Sequence, residues 1–321
     1  MRWKRGSRPR LVSETDAPPR TREIFTEVRE RLGLPVVPAL YQAYAVFPDF
    51  LELHWQSFRP LIESRQFFVL GARLAAECYT RAHNYFAVDG LDGHEVQPAV
   101  DATLPLSQVL DYYQYLDPFL LLITAAQMQA FEGAAGESLE APDGARHASF
   151  PVAPRLLGDS EATGAVQRIW EERRRILELA FVSDEHRALA CWPEFYQQYW
   201  AELKNLLQSP LYADCQYRIG ESAMKLAREL PVSIDTAIPQ LLDAGLDNDQ
   251  VYSLVRVNEA FMQALTGLLL DITFARIGLE GGNHKVGMAE SEACGEKPVT
   301  SEGEIPSESA DKQAGTPTRA A

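Results

Sequence analysis

The strongest constraint on the fold is that the chain repeats itself. With Ile24 set against Ile169 and no gap, Ile24-x-x-Glu27-x-Arg29-x-x-Leu32-x-Leu34 pairs with Ile169-x-x-Glu172-x-Arg174-x-x-Leu177-x-Leu179, an offset of 145 residues. The same register pairs Val37 with Val182, Ala43 with Ala188, Ala45 with Ala190, Pro48 with Pro193, Phe50 with Phe195, Trp55 with Trp200 and Leu61 with Leu206. That is 12 identities in 38 positions, with conservative pairs such as Phe25 with Trp170 and Phe47 with Trp192 between them. Leu120-Leu121-Leu122-Ile123-Thr124 then matches Leu268 to Thr273 once a shift of four residues, the size of a loop insertion, is allowed. A chain of 321 residues is about two domains long by its length alone. The repeat turns that into one unit written twice.

Both copies read as helices. Ile24, Val28 and Leu32 recur every four residues, and Phe195, Tyr196, Tyr199, Trp200, Leu203, Leu206 and Leu207 follow the spacing of a buried helical face. Pro48 and Pro193 sit where a new helix would begin, a position proline tolerates. No segment alternates as a strand does. The expected fold is all-α, a helical pseudo-dimer whose two repeats, 21–131 and 165–282, pack across an internal pseudo-two-fold axis. A Gly/Pro-containing linker, 132–164, should join them. Residues 1–20 read as a disordered basic leader, and 283–321, rich in Glu, Ser, Gly and Pro, as a disordered acidic tail.

Composition excludes several functions. Acidic residues outnumber basic ones 45 to 30, a net charge of -15, which argues against nucleic acid or an anionic membrane as partner. The longest apolar stretch, Phe119 to Ala126, is too short to span a bilayer. No apolar run follows the basic N-terminus to make a signal peptide, so a cytoplasmic protein is expected. Cys78, Cys191, Cys215 and Cys294 form no C-x-x-C pair and should be reduced thiols. The six histidines, His54, His83, His94, His147, His186 and His284, show no metal-ligand spacing, and there is no G-x-S-x-G elbow, P-loop or G-x-G-x-x-G. Neither a metal nor a cofactor is expected. Tyr112, Tyr113, Tyr115 and Phe119 could line a pocket, although aromatics at helical spacing are more often core.

The repeat also locates candidate chemistry, because positions where two copies differ mark a specialised site. Ser183 and Asp184 stand where the first copy has Pro38 and Ala39. Ser183-Asp184-Glu185 ahead of the helical run His186 to Cys191 is equally what a helix N-terminus looks like, with a serine cap and acids favoured by the dipole. The residue pattern leaves both readings open.

Three stretches resemble the group I 2-haloacid dehalogenases, a family of all-helical pseudo-dimers. They are Leu34-Pro35 leading to Phe47-Pro48-Asp49-Phe50-Leu51 and Trp55, then Phe119 to Ala125, then Ser183-Asp184 followed by Trp192-Pro193, and the likeness spans most of 20–280. It implies hydrolysis of short 2-haloalkanoic acids, with Asp184 as the base that takes a proton from water and the water displacing halide at C2 with inversion. Ser183 would help hold the substrate carboxylate. The family's water-orienting asparagine matches Leu116, with Gln114 the nearest amide, and its pocket tryptophan and phenylalanine match Val36 and Ala39. Two readings follow: a dehalogenase with a widened pocket, or a non-dehalogenating helical relative that binds or transforms another small molecule. The partner implied is a small-molecule substrate, with no nucleic acid and no membrane, and the chain could pair as a homodimer.

Overall fold

Prolines set the rhythm of the helices. Pro19, Pro48, Pro193 and Pro210 each occupy the first helical position, where the missing N–H is not needed. In the computed structural model, residues 10–86, 91, 97–133, 148–162, 164–177, 181–230 and 234–280 are described. Among them the order is α1 (Pro19–Leu32), α2 (Ala39–Tyr44), α3 (Pro48–Ile62), α4 (Arg65–Tyr85), α5 (Leu106–Phe131), α6 (Gly164–Leu177), α7 (Asp184–Leu189), α8 (Pro193–Leu206), α9 (Pro210–Ala227), α10 (Ile238–Asp243) and α11 (Asn248–Leu279), with no strand. The all-α expectation is met. The central part of the linker (134–147 and 163), the acidic tail, residues 1–9 of the leader, His94, His147, His284 and Cys294 lie outside the described residues.

Corresponding elements of the two halves are built alike. The α2 and α7 boundaries differ by the sequence offset at both ends, and α3 and α8 begin 145 residues apart. Trp55 Nε1 donates to Glu27 Oε2 at 2.9 Å, and Trp200 Nε1 donates to Glu172 Oε2 at 2.7 Å, pinning α3 to α1 and α8 to α6 in the same way. Ser64 and Ser209 cap α4 and α9 by accepting from Phe67 N–H and Tyr212 N–H.

The long helices α5 and α11 share the most extensive helix pair in the molecule, and α4 and α9 pack on both. That is why α5 is buried along nearly its whole length from Tyr112 to Phe131. By length and composition α11 is apolar enough to cross a membrane, which an uninterrupted-run criterion misses, yet 61% of its most apolar stretch is buried inside the protein. Cys78, Cys191 and Cys215 are buried free thiols.

The leader is ordered further towards its start than the composition suggested. Val12 N–H donates to Gln42 C=O at 3.0 Å, Glu14 pairs with Arg29 and accepts from Val37 N–H, and Ala17 is buried. Two apolar anchors and one carboxylate suffice to hold residues 12–18 against α1 and α2.

Candidate active site

Asp184 and Ser183 come from the start of α7. Ser183 holds the N-cap position with extended backbone (φ -69°, ψ 160°), but its side chain makes no capping bond. Its Oγ is shielded from solvent and has no hydrogen-bond partner, although it lies near enough to Glu185 to favour that carboxylate's charged form. A serine placed as a cap and not used as one removes the structural role the sequence allowed it. Asp184, the first residue of the helix, is exposed. Its charge reaches Glu185 and the hydroxyls of Tyr112 and Tyr113 on α5.

Beneath Asp184 lies a group of buried polar side chains that are poorly satisfied. Glu185 is 7% exposed, its Oε2 is unpartnered, and burial together with the Asp184 charge pushes its carboxyl up to about 7. Asp117 on α5 is 1% exposed with neither oxygen partnered, and burial plus the charges of Glu185 and Asp271 hold it well above the usual carboxylate range. The next residue, Pro118, lacks the N–H that would close the helical bond to the Gln114 carbonyl, so α5 is already opened there. Arg173 on α6, 2% exposed, leaves Nε and Nη1 without partners, and Trp170 Nε1 one turn earlier lies near the Tyr196 hydroxyl. The Arg187 guanidinium stacks over the Trp170 ring at 5.0 Å.

This group is anchored on α11 through Asp271. Arg173 Nη2 stands 3.6 Å from Asp271 Oδ2, Tyr212 Oη donates to Oδ1 at 2.5 Å, and Tyr199 Oη donates to the Asp271 carbonyl at 3.1 Å. His186 Nε2 lies 3.3 Å from Asp271 Oδ2 and its Nδ1 3.1 Å from Tyr196 Oη. Burial and the Arg173 charge lower the His186 pKa to about 4, so a neutral ring donates to Asp271 and accepts from Tyr196. His54, in the first half, is a different case. It is fully buried, bonded to Gln127 Oε1 at 2.8 Å and lowered to about 3 by burial.

The remaining sequence candidates separate. Leu116 is buried in the apolar core one residue from Asp117. Gln114, half-buried, accepts from Arg276 Nε at 2.9 Å and so is committed to α11. Val36 is exposed and Ala39 half-buried at the connection from α1 to α2. That connection is tied to α5, because Tyr115 Oη donates to Leu32 C=O at 3.1 Å and Phe150, bonded to Gly33, packs its ring on Tyr112 and Tyr115. Two surface clefts of about 630 and 490 Å³ lie elsewhere, one between α9 and α11 and one beside Trp192 and Arg276. Neither is lined by the buried polar group.

Sequence reasoning missed Arg173, Glu185 and Asp117. A signal for the first two was present, since the gapless register sets Arg173 against Val28 and Glu185 against Leu40. The comparison that singled out Ser183 and Asp184 would have found them.

The fold and this site define an all-helical protein with a buried cluster of ionisable side chains gathered from α5, α6, α7 and α11. A family model described as halocarboxylic acid dehydrogenase DehI matches residues 35–186. An (R)-2-haloacid dehalogenase of Pseudomonas putida is 25% identical over 272 residues, 82% of this chain and 90% of that protein. One from Rhizobium sp. (strain NHG3) is 23% identical over 229 residues, 69% of this chain and 88% of that protein. Crystallographic neighbours share the fold: a D-2-haloacid dehalogenase mutant at TM-score 0.72 and 22% identity, covering 85% of this chain and 96% of that one, and a D-2-haloacid dehalogenase complex with L-LA at the same score and identity, covering 87% and 100%. The chain is similar to the DehI-like 2-haloacid dehalogenases, the family model covering just under half of its residues.

Proposed function

We propose that the protein hydrolyses the carbon–halogen bond of short 2-haloalkanoic acids at the start of α7. A water gives a proton to Asp184, its oxygen attacks C2 from the side opposite the halogen, halide leaves with the bonding pair, and the product is a 2-hydroxyalkanoate of inverted configuration. Ser183, whose hydroxyl is not spent on capping α7, holds the substrate carboxylate. The reaction uses no cofactor and no metal. The two helical repeats form one functional body with one site, because only the second carries the Ser183–Asp184 pair. In this reading the protein works in the cytoplasm on a small acid, away from membranes and nucleic acids, and can pair as a homodimer.

The observation that carries the reading is the group of unpartnered buried polar atoms beside Asp184, in a chain similar to (R)-2-haloacid dehalogenases over 82% of its length. Buried polar groups left unsatisfied are costly and persist where a ligand or water uses them. A halide-release assay on both enantiomers of 2-chloropropionate tests it. Release by the parent protein, reduced by roughly a hundredfold or more in Asp184→Asn, is expected of a lost general base. No release by the parent, or equal release by the variant, defeats the reading.

The exposure of Asp184 and the apolar Leu116 favour a second reading, a helical relative of other chemistry in which Asp184 serves only the first turn of α7. Unchanged stability but no halide release in any condition would select it.

A further inference from the structure

Arg173 is a costly side chain to leave as it stands. A buried guanidinium needs its charge paired and its N–H groups bonded. Its single ion pair among the described residues, with Asp271 at 3.6 Å, is longer than a hydrogen bond, and that carboxylate already takes bonds from Tyr212 and His186. Nε and Nη1 point at no acceptor. Packing does not explain the residue either, since the register places Val28 at the same point of α1, where a fully buried aliphatic side chain serves.

The neighbours supply what an anion site needs. Trp170 Nε1, within reach of Tyr196 Oη, and Ser183 Oγ, within reach of the Glu185 carboxyl, are further donors on the same helix and on the adjoining α7. Four carboxyls are coupled to this group: Asp117 on α5, Asp184 and Glu185 on α7, and Asp271 on α11. Burial favours the neutral form of Asp117 and holds Glu185 up to about 7, so below that pH neither cancels the guanidinium. The planar fork of an arginine matches the two oxygens of a carboxylate.

We propose that Arg173, through its free Nε and Nη1, is the receptor for the substrate's carboxylate, with Trp170 and Ser183 as auxiliary donors. This rests on the haloacid reading of the site, which needs a cation to capture an anion. Residues 1–20 carry +4 and 283–321 carry -3, leaving 21–282 at -16, so the body as a whole repels such a substrate. Arg173, whose charge reaches Glu185 next to Asp184, is the cation these helices bring to the site.

The test measures binding of propionate, which has the carboxylate and no halogen, and of propionamide, its neutral analogue, by calorimetry on the full chain. Wild type is expected to bind propionate in preference to propionamide, Arg173→Gln to lose roughly 30-fold or more in propionate affinity, and Arg173→Lys to lose less. Propionate affinity within about twofold of wild type in a folded Arg173→Gln, or equal affinity of wild type for both ligands, overturns the proposal. Should Arg173→Gln not fold because Asp271 is left alone, Arg173→Gln/Asp271→Asn removes both charges and is read in the same way. Should neither fold, the exchange-protected arginine Nε–H signal of ¹⁵N-labelled wild type decides: a shift with propionate supports the proposal and no shift overturns it. Arg173-dependent propionate binding without halide release from 2-chloropropionate leaves the anion site standing and removes the dehalogenase reading. Halide release with Arg173-independent propionate binding does the reverse.

Discussion

At the scale of the residue, what distinguishes this molecule is a set of ionisable groups held away from water with few partners. Glu185 is the most informative, because its carboxyl lies up to about 7 in the fold against 4.5 as its ordinary value. Between those values the folded chain holds a proton that the unfolded chain releases. Its contribution to stability is complete below about pH 4.5 and is lost as the pH rises through about 7. Glu185→Gln, which is neutral throughout, should therefore flatten the fall of the urea midpoint across that window and be more stable than wild type at pH 8 by about 2–3 kcal/mol. Superimposable profiles for the two proteins would show that Glu185 is solvated. His186 acts in the opposite sense. Lowered to about 4, it costs stability as the pH falls from 6.5 towards that value.

At the scale of the element, the ends of helices position the site. Gly33 closes α1 in the left-handed conformation at φ 65°, and a Cβ there would meet the Ala148 carbonyl oxygen at 2.0 Å. That contact accompanies the Phe150 N–H bond to Gly33 C=O, which lays the Phe150 ring against Tyr112 and Tyr115 of α5. Gly33→Ala should lose about 1–3 kcal/mol in chemical unfolding, from the backbone strain and the displaced segment together. Because the loop carries Phe150 to Tyr112, whose hydroxyl feels the Asp184 charge, activity in the halide assay should fall further than the loss of folded protein explains. Stability within about 0.5 kcal/mol of wild type would mean that the loop simply moves aside.

At the scale of the whole molecule, the two halves do not own separate cores. α5 from the first half and α11 from the second share the most extensive helix pair, and α4 and α9 cross-pack on both. Removing one half would uncover the apolar faces of α5 or α11, which among the described residues include Leu120 to Ile123 on the one and Leu269, Leu270 and Ile272 on the other. Thermal unfolding of the full chain should accordingly be a single transition whose calorimetric and van't Hoff enthalpies agree, and a fragment of residues 164–280 should show no cooperative transition. Two resolved transitions would indicate that each half folds alone.

The sequence by itself determined the helical class, the proline-led starts of α3 and α8, and the shared register that places Trp55 over Glu27 and Trp200 over Glu172. These follow from local periodicity and from pairings written into both copies. It also marked Ser183 and Asp184, by their difference from Pro38 and Ala39. Only the tertiary structure decided that Ser183 leaves α7 uncapped, that Gln114 is taken by Arg276, and that Asp117, Arg173, Glu185 and Asp271 meet. These residues lie on four helices up to 154 positions apart in the chain. Whether a charged side chain is solvated or stranded depends on which helix packs over it, and no local pattern in the chain records that.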